Sequence, residues 1–204
     1  MITIFRRGSL LLGVLALTLM AQAQQQFKLP SVDLALTYST DRAKIVSTDC
    51  GCFWLQGGSV DASAALFRGL GVAANLTGET RSNISPGVDL SKLAFMVGPR
   101  YSLSTSRWTR RLPKLRIGTG IFGEALFGSA YGFDSAFWTT SGPKGSANAL
   151  SMQFGGGLNI GLRRGFGLRA IELDYVRTSF PNLASNTQND LRIAFGVTYH
   201  VGER

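Results

Sequence analysis

Hydrophobic and polar residues alternate with a period of two along most of the chain. In the clearest segment, from Leu150 to Leu162, Leu150, Met152 and Phe154 share one face. The opposite face holds serine, glutamine, asparagine and glycine residues, so it is small and uncharged. A period of two predicts a β-strand. A small neutral second face is typical of a narrow polar lumen with lipid outside, whereas the wet face of a soluble sandwich is rich in charge.

The same alternation recurs in seven further segments, which predicts eight strands. These segments are residues 32–39, 54–67, 70–79, 92–103, 115–127, 171–175 and 191–201. Short or medium connections (68–69, 104–114 and 163–167) alternate with long ones (40–53, 78–89, 128–149 and 181–190). Short turns on one side and long loops on the other are the layout of an outer-membrane barrel. We therefore expect an all-β fold, an eight-stranded closed antiparallel transmembrane β-barrel with both termini on the periplasmic side.

The first residues predict export. Arg6 and Arg7 precede an apolar run from Leu10 to Met20, and Ala21-Gln22-Ala23 is a small-x-small cleavage site. This three-part pattern is that of a secretory signal peptide. The alternative, an uncleaved anchor, is disfavoured because a spanning helix needs about 20 apolar residues. We expect a signal peptide at residues 1–23 and one barrel domain at residues 24–204.

The charge balance is basic, with 21 Lys and Arg against 12 Asp and Glu and a formal net charge of +9. A positive field favours anionic partners without specifying them. For an exported chain the expected partners are outer-membrane lipid and lipopolysaccharide, and not nucleic acid.

Several short motifs, taken in order along the whole chain, resemble those of a known family. They are Cys50-Gly-Cys-Phe-Trp54, Val97-Gly-Pro-Arg-Tyr101, Glu124-Ala-Leu-Phe-Gly128, Gly155-Gly-Gly-Leu158 and Glu172-Leu-Asp-Tyr-Val-Arg-Thr178. The chain resembles the small outer-membrane β-barrel proteins similar to the transmembrane domain of outer membrane protein A. The resemblance implies the fold and an outer-membrane location, and most members have no assigned activity. The last strand, with Gly196, Tyr199 and Val201, looks like the signal read by the barrel-insertion machinery, which makes that machinery a further expected partner.

Charged residues of both signs fall on the predicted inward faces. The acids are Asp33, Asp61, Glu79, Glu124, Glu172 and Asp174, and the bases are Lys92, Arg100, Arg116 and Arg192. A charge facing lipid costs about 2–4 kcal/mol at the midplane, so inward positions are favoured. Since an eight-stranded barrel is just wide enough for side chains, we expect a plug of salt bridges. The alternative is a narrow path for ions or small solutes.

A specific pairing follows if the turn between the fourth and fifth strands centres near Trp108. Lys92 then lies opposite Glu124, and Arg100 lies opposite Arg116. Like charges on opposed positions are unfavourable, so we expect Glu172 and Asp174 to reach across the lumen to Arg100 and Arg116. Arg192 is expected to join an outer cluster with Lys92 and Glu124.

The sequence offers little support for catalysis, a cofactor or a metal. Gly118-Thr-Gly-Ile-Phe-Gly123 matches a dinucleotide fingerprint but lacks the following helix that the fingerprint needs. His200 is the single histidine, so a serine–histidine–acid arrangement is disfavoured. Cys50 and Cys52 are disulfide candidates in an exported chain. There are two other interpretations of these cysteines. They are free or intermolecular thiols, or they belong to a metal site that lacks some of its usual four ligands.

Four aromatic residues, Tyr131, Phe133, Phe137 and Trp138, lie in the predicted long loop 128–149. Exposed aromatic side chains in a loop indicate contact with a partner, lipid or sugar. They are equally consistent with a rim belt or with packing over the barrel mouth. The leading hypothesis is a non-enzymatic barrel that stabilises the envelope or presents its loops to an extracellular ligand for adhesion. A narrow channel and a soluble lipocalin-like carrier are the alternatives.

Overall fold

The computed structural model describes residues 31–44, 52–85, 88–104, 118–162, 164–182 and 186–202. It contains eight strands: β1 (Val32–Lys44), β2 (Cys52–Phe67), β3 (Leu70–Ser85), β4 (Val88–Ser104), β5 (Gly118–Thr139), β6 (Gly142–Gly161), β7 (Phe166–Thr178) and β8 (Gln188–Val201). Each strand pairs antiparallel with its sequence neighbours, and β8 pairs with β1, so the sheet closes into a barrel. The predicted eight-stranded barrel is confirmed.

The predicted signal peptide lies outside the described residues. No helix long and apolar enough to cross a membrane occurs within the described ranges.

Apolar side chains cover the outside of the barrel and polar ones fill its inside. On β1, Leu34, Leu36 and Tyr38 point outward, and Leu36 keeps 60% of its surface exposed. Thr37 and Ser39, which alternate with them, are buried. This inverted distribution is stable where the outer surface meets hydrocarbon and where closure leaves no unpaired sheet edge.

The two ends of the barrel differ. The turn end carries the start of β1, the end of β8 and the turns at Arg68-Gly69 and Arg164-Gly165. Arg68 and Gly69 both have positive φ, as a two-residue hairpin turn requires. The opposite end, the hairpin end, carries the β5–β6 hairpin, whose strands of 22 and 20 residues exceed the roughly 9–11 that cross a bilayer.

Two of the predicted long loops, 78–89 and 128–149, are wrong over most of their length. Segment 128–149 is almost entirely strand, with its turn at residues 140–141, and β1, β3 and β4 also extend into predicted loops. Beyond the membrane, a polar strand still satisfies its backbone groups by pairing with its hairpin neighbour. Polar composition therefore does not end a strand here.

The predicted register of the β4–β5 hairpin is also wrong. Lys92 lies opposite Gly132, and Arg100 lies opposite Glu124. Arg116, expected opposite Arg100, lies outside the described residues. Lys92 and Arg100 each pair with a residue of β5 that lies eight positions further along the chain than predicted. The midpoint of the hairpin is therefore four residues further along the chain than the predicted midpoint at Trp108. An even displacement keeps every residue on its predicted face, since sidedness repeats every two residues.

Candidate functional site

The lumen holds the candidate site, and its buried charged residues come from every strand except β6. Of the predicted lumen cluster, Lys92, Arg100, Glu124, Glu172, Asp174 and Arg192 are all buried inside the barrel. Asp61 and Glu79 are buried with them, whereas Asp33 is only partly buried near the turn end. Three buried charges were not predicted: Asp41, Arg169 and Asp190. Among described residues, seven carboxylates and four cations are buried in the lumen.

The outer cluster lies toward the hairpin end and is centred on Lys92. The Lys92 ammonium pairs with Asp41, with Glu79 at 3.1 Å and with Asp190 at 3.9 Å. Ser39 donates to the second oxygen of Glu79 at 2.8 Å. The expected partners Glu124 and Arg192 are not in this cluster. The reason is the register: Glu124 lies eight residues nearer the turn end than the position opposite Lys92.

The central cluster is centred on Arg192 of β8. Its guanidinium donates to Glu172 at 2.9 Å, to Gln153 at 2.9 Å and to Ser59 at 3.2 Å. Asp174 lies 3.8 Å from Arg192 Nε. Because these partners lie on strands on different sides of the barrel, Arg192 ties the walls together across the lumen.

The inner cluster lies toward the turn end and contains two arginines. Arg100 donates to both oxygens of Asp61 at 2.7 and 2.8 Å and through Nε to Glu124 at 2.8 Å. Arg169 donates to Glu172 at 2.6 Å and to Asp61 at 3.2 Å. Bidentate guanidinium–carboxylate pairs are among the strongest hydrogen-bonded contacts in proteins.

The expectation that Glu172 and Asp174 would pair with Arg100 is wrong, and their pairing with Arg116 stays a prediction because Arg116 lies outside the described residues. Glu172 joins Arg169 to Arg192, and Asp174 lies beside Arg192. Glu172 therefore bridges the central and inner clusters. Gln153 does the same, since it donates to Glu124 at 3.1 Å and accepts from Arg192.

Phe122 forms the floor of this network. The guanidinium carbons of Arg100 and Arg169 lie 4.4 and 4.6 Å from its ring centroid. A cation over an aromatic face is attracted by the ring quadrupole. Phe122 thus supports both arginines from the turn end and separates the ion pairs from the space beyond.

Arg169 reaches the lumen through a β-bulge. Leu158 pairs with Ile171 but the next residue, Asn159, pairs with Arg169, so β7 gains one residue at Ala170. Without the bulge Arg169 would face lipid, because it has the same parity as outward Ile171. The sequence does carry a signal: outward apolar residues on β7 are spaced by two except between Leu168 and Ile171, where the spacing is three.

Asp41 and Asp190 were missed for a different reason. Both lie in segments predicted as loops, 40–53 and 181–190, yet both belong to strands. No local feature distinguishes a polar strand above the membrane from a loop. Their position across the lumen from Lys92 depends on the closed barrel.

The described lumen residues form an ion-pair network rather than a metal site. Oxygens of Glu124, Glu172 and Asp174 lie within 4.8 Å of one another. However, Glu124 and Glu172 already accept hydrogen bonds from arginines, and Arg192 lies beside Asp174. A further cation there would meet these guanidinium charges.

Open space in the lumen is unevenly divided. Between the outer and central clusters lies a space of about 10 Å³ lined by Asp41, Glu79, Lys92, Gln153 and Arg192 among others. That is room for about one water molecule. On the turn-end side of Phe122 lies a vestibule of about 400 Å³. Asp33 and His200 line this vestibule and pair at 2.6 Å, opposite each other on β1 and β8.

The four aromatic residues of the β5–β6 hairpin divide between the mouth and the outer surface. Phe137 is 7% exposed and packs on Phe180 with ring centroids 5.2 Å apart, which agrees with packing over the barrel mouth and not with exposure in a surface loop. The strand is irregular just before it, where β5 carries two more residues than β6 between the pairs Phe133–Ser146 and Phe137–Lys144, and the Phe137 ring lies against Gly132. Tyr131 and Phe133 stack at 5.7 Å, and Trp138 is 50% exposed near the tip.

The cysteine pair is only partly described. Cys52 is exposed at the start of β2, and Arg42 contacts its sulfur at 3.9 Å. Cys50 lies outside the described residues. The disulfide stays a prediction.

Comparisons with known proteins agree with this architecture. The model of the outer membrane protein beta-barrel domain family matches residues 9–204. The crystal structure of Neisserial surface protein A is similar over 82% of this chain and 96% of its own, with a TM-score of 0.53 and 10% identity. The crystal structure of Ail, the attachment invasion locus protein of Yersinia pestis, is similar over 84% of this chain and 99% of its own, with a TM-score of 0.48 and 13% identity. None of the curated proteins compared with the chain matches it.

Proposed function

Because the chain belongs to the outer membrane protein beta-barrel domain family and lies in the bacterial outer membrane, we propose that it is a non-enzymatic integral barrel whose lumen is plugged by salt bridges. Its role is structural, or it binds an extracellular ligand through the hairpin end for adhesion. In this orientation the turn end is periplasmic and the hairpin end is outside, as short turns and long hairpins are arranged in such barrels. The barrel-insertion machinery and outer-membrane lipid, including lipopolysaccharide, are its proposed partners.

The observation that carries the plug is the stack of three ion-pair clusters along the lumen, of which the central and inner clusters are joined through Glu172 and Gln153. Arg192 contacts residues of β2, β3, β6 and β7, and Arg100 contacts residues of β2 and β5. The remaining space between clusters admits about one water molecule. Phe137 and Phe180 add an apolar cover at the hairpin end. These contacts support a closed lumen over the alternative of a narrow channel for ions or small solutes.

The plug predicts that purified wild-type protein produces no large, discrete conductance steps in planar bilayers. The double variant Arg192→Ala/Glu172→Ala removes one positive and one negative charge, so the net charge is unchanged. It should produce discrete conductance steps, because these two residues join opposite walls of the barrel. Arg177→Ala, on the exposed face of β7, serves as the control and should stay closed. Large reproducible steps from the wild-type protein would overturn the plug in favour of the channel.

The proposed surface role rests on the length of the β5–β6 hairpin and on its exposed Trp138. We expect a deletion strain to become more permeable to a dye that the intact outer membrane excludes. Wild-type protein and Trp138→Ala should both restore the permeability barrier, whereas only wild-type should restore attachment of cells to polysaccharide-coated surfaces. Equal attachment by both complemented strains would exclude Trp138 from adhesion and leave the structural role.

A further inference from the structure

The barrel wall opens where β1 and β8 separate at the hairpin end. The pairing of these strands runs from Val32–Val201 to Arg42–Leu191 and stops there, although β1 continues to Lys44 and β8 begins at Gln188. The separated ends leave a cleft of about 250 Å³ lined by Arg42, Ala43, Cys52, Tyr175, Asn189, Asp190 and Leu191. Strand ends that diverge no longer satisfy each other's backbone groups, so this part of the wall can accept hydrogen bonds from, and donate them to, a polar group at the membrane surface.

Hydrogen-bond donors dominate the outward side of the cleft. Arg42 is exposed, and within the described ranges no carboxylate forms a salt bridge with its guanidinium. The Tyr175 hydroxyl donates to Asn189 Oδ1 at 2.7 Å, which orients the amide and leaves its N–H groups as donors. Exposed Arg177 lies directly opposite Asn189 on β7. The acid in the lining, Asp190, is buried toward the lumen beside Lys92.

The height of the cleft points to a lipid headgroup. Below it on the outer surface lie the lipid-facing side chains of Leu191, Phe195 and Val197 on β8 and of Tyr38 on β1. Arg42 and Arg177 lie just beyond this apolar band, with Tyr175 at its border, where aromatic side chains meet headgroups. The cleft therefore opens at the level where acyl chains end and phosphate groups begin.

We infer that this cleft binds a phosphate group of lipid A in the outer leaflet, with Arg42 as the main anchor and the Asn189 amide and Arg177 as flanking donors. A guanidinium suits this ligand because its planar fork pairs with two phosphate oxygens at once. The acyl chains of the same lipid lie along the apolar surface below. The inference deepens the proposed contact with lipopolysaccharide and rests on the proposed orientation of the barrel.

Titration of full-length detergent-solubilised protein with diphosphorylated lipid A, followed by native mass spectrometry, tests this site. Arg42→Gln should weaken binding about tenfold, the loss of roughly one charge-assisted contact. The control is Arg81→Gln, which replaces an exposed arginine of β3 at the same end of the barrel but away from the cleft. Its affinity for lipid A should stay within about twofold of that of the wild-type protein. Lipid A without phosphates should bind wild-type and Arg42→Gln alike.

Two results would overturn the inference. In the first, Arg42→Gln and Arg81→Gln bind lipid A equally. In the second, phosphatidylglycerol binds the wild-type protein as tightly as lipid A and with the same dependence on Arg42, which assigns the cleft to phospholipid. Both results leave the proposed plug and the proposed role of the hairpin untouched, because conductance and complementation of the deletion strain report on those features and not on this cleft.

Discussion

Arg100→Met should lower the free energy of unfolding by about 3–5 kcal/mol, the usual cost of removing one partner from a buried ion pair. Methionine keeps most of the volume but leaves Asp61 and Glu124 without their main cation. Glu124 retains the Gln153 amide and Asp61 retains Arg169, but neither replaces the four hydrogen bonds that Arg100 donates to these two carboxylates. Equilibrium unfolding in urea, with the protein in lipid vesicles, measures the change.

Two companion variants separate charge from geometry. Arg177→Met removes an arginine from the exposed face of β7 and should change stability by less than about 0.5 kcal/mol. Arg100→Lys keeps the charge but loses the bidentate fork, so its stability should lie between those of wild-type and Arg100→Met. If Arg100→Met is as stable as Arg177→Met, the ion pairs of Arg100 with Asp61 and Glu124 contribute nothing to stability.

Gly155→Ala should destabilise the barrel by about 1–3 kcal/mol, the range seen for overpacking. Gly155 faces inward on β6, between Glu124 on β5 and Asp174 on β7. A Cβ placed there would lie less than 3.0 Å from the Leu173 carbonyl oxygen and from Asp174 Cα. These are backbone atoms, so the conflict is relieved only by moving β7 and with it the carboxylates that pair with Arg192. Thermal unfolding in the same vesicles provides the measurement.

The matched control is Gly145→Ala on the same strand. No atom lies within 4 Å of a Cβ at Gly145, and neither glycine has a positive φ. The two substitutions therefore differ in available space and not in backbone conformation. Equal stability of the two variants would mean that β6 and β7 separate at little cost, and the close approach would then not be needed to hold the lumen network.

Side-chain alternation, which is a local property, was sufficient to predict the barrel and the inward faces. Lys92 and Arg100 were assigned to the lumen although their register was wrong, because a displacement by an even number of residues leaves each side chain on the same face. The cost of charge in hydrocarbon then made an ion-pair network the expected content of the lumen.

Arg169 marks the point at which alternation alone fails. One extra residue in β7 reverses the inward and outward faces of the strand residues that precede it. A bulge must therefore be located before side chains can be assigned to the lumen or to the lipid. The three-residue spacing from Leu168 to Ile171 locates it in retrospect. Alternation does not predict the place of Phe137 either, since β5 carries two extra residues relative to β6 just before it, with Asp134 at positive φ.

The partners of each lumen charge were decided by the tertiary structure. Sequence alone determined that this chain forms an eight-stranded barrel with lipid outside and charge inside, because those features depend on the residue type at alternate positions. Which carboxylate meets which cation depends on the height of each residue along the barrel. That height follows from the register of every hairpin and from the tilt that closure imposes on all eight strands together. Asp41, Glu79 and Asp190 are far apart in sequence and surround Lys92 for this reason, and the cleft beside Arg42 exists only because the first and last strands meet.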